Sequence, residues 1–216
     1  MMRIYSGLNA GQIAFLIIVP IVVLVGVFLL IFLPLRKRKM KKDFKYFYYR
    51  NIYKVALEND YYLINDFRFK IDDTHVGVID HILFANKYIY IITDHYYEGD
   101  LDGKETDASF IFINRTGKKF YSENLVASSK KLMNKLSIVT GIGASLMIGV
   151  NIINNGCTCG VKSESKNCYI IQSKKFKSLI KAIESRPIGD INQEQLALAV
   201  QAVDRINKRK KKNAKK

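Results

Sequence analysis

The polar residue Thr93 and the ionisable residues Asp94, His95 and Glu98 fall within six positions at the end of "YIYIITDHYYEG", Tyr88 to Gly99. The stretch begins as a strand of alternating β-branched and aromatic residues. Residues two apart on a strand share a face, so Thr93 and His95 are expected on one side and Asp94 on the other. A histidine there could act as a base near neutral pH. Alternatively, Asp94, His95 and Glu98 are a solvated strand end. The other candidates are weaker. Asp80 precedes this strand in "HVGVIDHILFA", and His81 alternates away from it. Asp72 and Asp73 suit a turn. The chain carries neither a P-loop nor a dinucleotide fingerprint. Cys157, Cys159 and Cys168 are too few and too irregular for a disulfide framework, and "CTC" has no second pair to complete a zinc site. Free thiols in a reducing compartment are expected.

The elements that must position these residues follow from hydropathy. Ile13 to Leu35 holds 23 residues without a charge. At ~1.5 Å per residue the run spans ~34 Å, enough for a ~30 Å hydrocarbon core. Arg36, Lys37, Arg38, Lys39, Lys41 and Lys42 follow it, and only Arg3 precedes it. The positive-inside rule places residues 1–12 outside and everything after the span in the cytoplasm, the basic segment 36–42 lying at the membrane surface. A cleaved signal peptide would have a shorter apolar core with its charge ahead of it. The expectation is a single-pass protein of the cell membrane.

The net charge of +16 is concentrated in two blocks. Residues 36–42 carry six cations and residues 208–216 carry seven, without an acid in either. The other 22 Lys and Arg face 19 acids, a balance near +3. The blocks suit lipid headgroups or nucleic acid, and Lys208, Arg209, Lys210, Lys211 and Lys212 are the candidate nucleic-acid contacts. A solubilising tail is the bland alternative for the second block.

Between the blocks, Asp43 to Asn59 has apolar residues at helical spacing, although tyrosines blur the stripe. Strands are expected at Tyr61 to Lys70, His75 to Ala85 and from Tyr88. "SFIFIN" and "KKFYS" flank "RTG" as a hairpin, and Asn124 to Leu136 suits an amphipathic helix. "ASLMIGVNII" reads as a buried strand, within an apolar run (Ile138 to Ile153) marginal for a second membrane pass. After "NCYIIQS", Ser173 and Asp190 are the expected caps of two last helices. Three strands with short connections, joined to an α/β half, predict an α+β domain with a mixed sheet flanked by helices. Its bounds are residues 43–186, followed by a C-terminal helix (187–207) and the tail (208–216).

"YYLINDFRF", "GVIDHILFANKYIYIITDHYYEGDLDG" and "FYSENLVASSKKLMNKL" together resemble the nuclease-related domain (NERD) family, a branch of the restriction-endonuclease-like PD-(D/E)XK fold. The resemblance covers about residues 43–184. Asp80 stands at the acidic position of the family's first motif strand, and Tyr97 and Gly99 match the second. Thr93 replaces the family's Glu and His95 its Lys. Asn124 and Leu136 fit the downstream motif, where Ser128 replaces Gln and Leu132 His. The stretch "FKYFYYRNIY" lacks the Glu the family's first helix usually offers.

The resemblance implies phosphodiester cleavage through a divalent metal held by hard oxygens, with a lysine beside it. Here Asp80 is the one dependable metal ligand of that motif. Thr is a poor ligand, and His matches Mg²⁺ poorly. The implied function is therefore interaction with nucleic acid or protein at the membrane, by a catalytically degenerate domain. Two alternatives stand beside it. One is an active Mg²⁺- or Mn²⁺-dependent nuclease using Asp80, Asp94 and His95, with a one-residue bulge beyond Ile92 turning Asp94 onto the site face. The other is a scaffold that binds only protein. Expected partners are membrane lipid, then DNA, RNA or another protein.

Overall fold

A computed structural model describes residues 10–70 and 76–213, with the backbone alone at residues 10, 37 and 208–213. Asp72 and Asp73 lie outside the described residues, as do residues 1–9. The chain divides at Phe44 into two compact units.

The first unit is one helix, α1 (Ala10–Lys42), of 33 residues. Its mean hydropathy reaches 3.4 over its most apolar window, and it is long and apolar enough to cross a membrane. It runs further than the apolar stretch because Lys and Arg are good helix formers, and cations in a last turn oppose the helix dipole. Lys39, Lys41 and Lys42 stand there. The basic segment is therefore the end of the helix.

The second unit is α+β. Helix α2 (Phe44–Glu58) buries Tyr48, Ile52, Val55 and Ala56, a stripe at helical period. Strands β1 (Tyr62–Lys70), β2 (Val76–Phe84) and β3 (Ile89–Asp94) form an antiparallel meander. A hairpin follows, β5 (Ser109–Asn114) and β6 (Lys119–Glu123), preceded by the short strand β4 (Gly99–Asp102). Helix α3 (Leu125–Thr140) leads to β7 (Met147–Ile153). The two-residue strand β8 (Thr158–Cys159), β9 (Cys168–Gln172), α4 (Phe176–Glu184) and α5 (Gln193–Asn213) complete the order.

Two mixed sheets result. The larger runs β1-β2-β3-β7-β9, antiparallel up to β3 and parallel beyond it. Every residue of β3 and β7 is buried, as expected of strands covered on both faces. The smaller runs β6-β5-β4-β8. The core joins Phe67, Phe69, Ile82 and Phe84 of the first sheet to Phe110 of the second and to Met133 and Leu136 of α3.

Helix α3 is anchored at both ends. Asn124 Oδ1 accepts from the Val126 and Ala127 amides, and its Nδ2 donates to the Glu105 and Asp107 carbonyls. Gly141 closes the helix at φ 75°. The apolar run after Ile138 thus splits between the helix end and β7. Gly149 lets α3 lie close on β7, since a Cβ there would come within 2.9 Å of Ser129 Cβ.

Three expectations need correction. Strands β4 and β8, and with them a separate second sheet, were not expected. Ser173 does not cap α4: it opens a 3-10 turn (Ser173–Lys175), and its hydroxyl accepts from Asn51 Nδ2 at 2.9 Å. Asp190 does not cap α5, because the Ile191 amide is tied to the Asn86 carbonyl and the helix starts later. Asn192 Oδ1 there accepts from the Glu194 amide at 2.9 Å.

Candidate functional site

The site forms where β3 peels away from β2. The two strands pair only from His81–Ile92 to Phe84–Ile89. Just beyond the last pair, Asp80 uses its side chain in place of the ladder: Oδ2 accepts from the Asp94 amide at 2.9 Å. Its Oδ1 accepts from Lys45 Nζ, in the first turn of α2, at 2.6 Å. On the other side, β1 pairs in register with β2 except opposite Asp80, where Asp66 takes φ 50°. The left-handed residue breaks one rung and opens the edge. A cleft of about 300 Å³ results, lined by Lys45, Tyr49, Asn65, Asp80, His81 and Asp94 among others.

The cleft side of β3 carries a proton-sharing pair. Asp94 Oδ2 lies 3.0 Å from His81 Nε2, and His81 Nδ1 lies 2.7 Å from Asn65 Oδ1. The Asn65 oxygen can only accept, so the hydrogen of that contact lies on Nδ1. Tyr49 stacks on the imidazole at 6.2 Å. Asp94 Oδ1 is buried and has no hydrogen-bond partner.

Burial pushes the Asp94 carboxyl above its ordinary range, and the bond from His81 only partly opposes this. A raised folded-state pKa means that stability present below the unfolded value, near 3.8, is lost as pH rises through the folded value. Asp94→Asn removes the charge and offers an amide N–H to His81 Nε2. The variant is expected to be more stable than the parent at pH 8 by about 1 kcal/mol, with the gap closing towards pH 4. Urea midpoints in detergent at the two pH values measure this. A variant less stable at pH 8 would mean that the carboxylate stabilises the fold.

The opposite face of β3 is closed by neutral hydrogen bonds. Thr93 Oγ1 donates to Asn151 Oδ1 at 2.8 Å, and Ser129 Oγ donates to the same oxygen at 3.1 Å. His95 Nε2 lies 3.1 Å from Thr93 Oγ1. Burial is the largest influence on His95 and lowers its pKa, against nearby Asp80, so the ring is neutral at pH 7.

The two candidate carboxylates, Asp80 and Asp94, therefore meet, but not as the sequence suggested. No bulge turns Asp94: β3 keeps its register with β7 from Ile89 through Asp94. Asp80 reaches the Asp94 backbone instead. His95 stays with Thr93 on the far face, and His81, expected to alternate away from Asp80, pairs with Ile92 and so is the histidine beside Asp94. Lys45, Asn65, Ser129 and Asn151 were not anticipated. Only Asn151 left a signal, as the one polar residue in "MIGVNII". Arg36, Arg38, Lys39, Lys41 and Lys42 are exposed at the end of α1. The helix of Lys208 to Lys212 continues α5, and their side chains lie outside the described residues.

A hard divalent ion needs several oxygen ligands, about six for Mg²⁺. Asp80 has given one oxygen to an ammonium and one to an amide. Thr93 donates its proton to Asn151, and Asp94 Oδ2 faces His81. Asp94 Oδ1 is the one uncommitted carboxylate oxygen of the pair. Among the described residues no three His, Cys, Asp or Glu side chains group to hold a metal. The residues present do not fit Mg²⁺ or Mn²⁺.

The chain matches no protein-family model, no curated protein and no solved structure. Lys45 on Asp80 and His81 on Asp94 give two of the three carboxylates that line the cleft a basic partner, Asp66 being the third. Such a site can bind by shape and hydrogen bonding.

Proposed function

We propose that this is a single-pass protein of the cell membrane, N-terminus outside, whose cytoplasmic domain has a restriction-endonuclease-like core that binds and does not cut. The order α2-β1-β2-β3, then α3-β7, with two carboxylates where β2 and β3 part, supports the nuclease-related resemblance. One observation carries the non-catalytic reading: Lys45 Nζ sits 2.6 Å from Asp80 Oδ1, where a metal would have to bind. The ammonium supplies the positive charge and leaves no coordination chemistry.

Nucleic acid is the proposed partner, held by the basic run at Lys208 to Lys212, with lipid held by Arg36 to Lys42. The full chain in lipid nanodiscs is expected to retard a labelled duplex and leave it intact. No retardation at micromolar protein would assign the domain to protein partners. Orientation has its own check: protease added outside intact cells should spare a tag after Lys216, and loss of that tag would reverse the topology.

A further inference from the structure

Helix α2 has two apolar faces, and only one is used by the fold. Tyr48, Ile52, Val55 and Ala56 are buried against the domain. Tyr46, Arg50, Tyr53 and Leu57 follow at spacings of four, three and four, which puts them within one narrow stripe on the opposite side. Tyr46 is 60% exposed, Tyr53 48% and Leu57 71%, and Arg50 is exposed. Lys54 extends the stripe with its side chain 72% exposed. The nearest acid on the helix, Glu58, is paired with Lys177 at 2.7 Å and stands 3.9 Å from Lys54. This is the tyrosine pattern that blurs the amphipathic stripe in the sequence.

We infer that this outward face of α2 docks on an anionic lipid surface. Three observations select lipid as the occupant. The first is covalent: Asp43 alone separates α2 from α1, whose last seven residues are the basic segment, so eight residues lie between the end of the apolar span at Leu35 and the start of α2. The second is composition. Tyrosine, with an apolar ring and a polar tip, suits the headgroup boundary, and Leu57 suits the acyl side of it. The third is charge. The stripe and its flank offer Arg50 and Lys54, continuing the cation block of residues 36–42 towards acidic headgroups. Docking lays α2 along the interface with its inner face still in the domain core. Tyr46 also lines the cleft of Asp80 and Asp94, so the docked face borders the candidate site.

The inference rests on the membrane-anchored reading, and the experiment separates the two. The chain contains no Trp, so a single introduced Trp reports from one place. Tyr53→Trp and, as a control in the second sheet, Tyr121→Trp, which replaces a side chain 86% exposed, are each made in the full chain. Each is reconstituted in vesicles of phosphatidylcholine and phosphatidylglycerol whose acyl chains are brominated near the headgroup. Emission at position 53 is expected to fall by about twofold or more, while emission at 121 changes little. Replacing phosphatidylglycerol with phosphatidylcholine is expected to weaken the quenching at 53. Unquenched emission at 53 in a chain that floats with the vesicles would overturn the inference and leave the anchor standing. A blue shift at 53 without quenching would assign the face to a second copy of the chain. Equal quenching at both positions would show that the α2 face is not selected. A chain that fails to float would remove the anchor and the inference together.

Discussion

Deleting residues 208–216 from the full chain is expected to weaken duplex binding by about a hundredfold at ~0.15 M salt, with a shallower salt dependence. The seven cations of that run carry no acid among them, whereas the rest of the chain outside the two blocks is within a few charges of neutral. Each phosphate neutralised adds ~0.9 to the slope of log K against log salt, so engagement of about four phosphates lowers the slope by about four on deletion. Fluorescence anisotropy across a salt series measures both quantities. An unchanged slope would place the contacts within the folded domain.

Asn151→Leu is expected to cost about 3 kcal/mol of stability, the reverse in sign of the Asp94→Asn effect on a neighbouring strand. Asn151 Oδ1 is the shared acceptor for Thr93 and Ser129, all three being buried. Its Nδ2 also reaches the Tyr169 carbonyl at 3.4 Å. Replacing the amide strands two buried hydroxyls, each costing about 1–3 kcal/mol when unsatisfied. Urea unfolding in detergent gives the loss. A cost below about 1 kcal/mol would mean that water or a rotated hydroxyl replaces the bonds.

Much of this arrangement is legible in the sequence wherever period and burial agree. The meander of β1 to β3, the β5–β6 hairpin around Thr116 and Gly117, and the buried strand β7 all follow from alternation or a continuous apolar run. Strand β4, "GDLD", was not legible, because its acids disfavour a strand and only pairing with β5 and β8 makes it one. Gly99, at φ 157°, explains its start: a Cβ there would lie 2.0 Å from the Ile113 carbonyl oxygen. In the site, Asp80 and Asp94 stood out as acids on strands. Lys45 and Asn65 did not, since Lys45 meets Asp80 across 35 positions and Asn65 meets His81 across 16, contacts that exist only in the folded chain. Alternation correctly sets Asp94 apart from Thr93 and His95. It also accounts for His81, which pairs with Ile92 and therefore shares a face with Asp94, two residues further along β3.

Cleavage of labelled DNA and RNA by the full chain in nanodiscs, with Mn²⁺, tests the central claim most directly. Mn²⁺ accepts nitrogen ligands more readily than Mg²⁺, so it gives His81 and His95 every chance to contribute. With Asp80 committed to Lys45 and the Asp94 amide, the account predicts intact substrate at every Mn²⁺ concentration. Cleavage that vanishes in both Asp80→Asn and Asp94→Asn would contradict it and establish a metal-dependent nuclease.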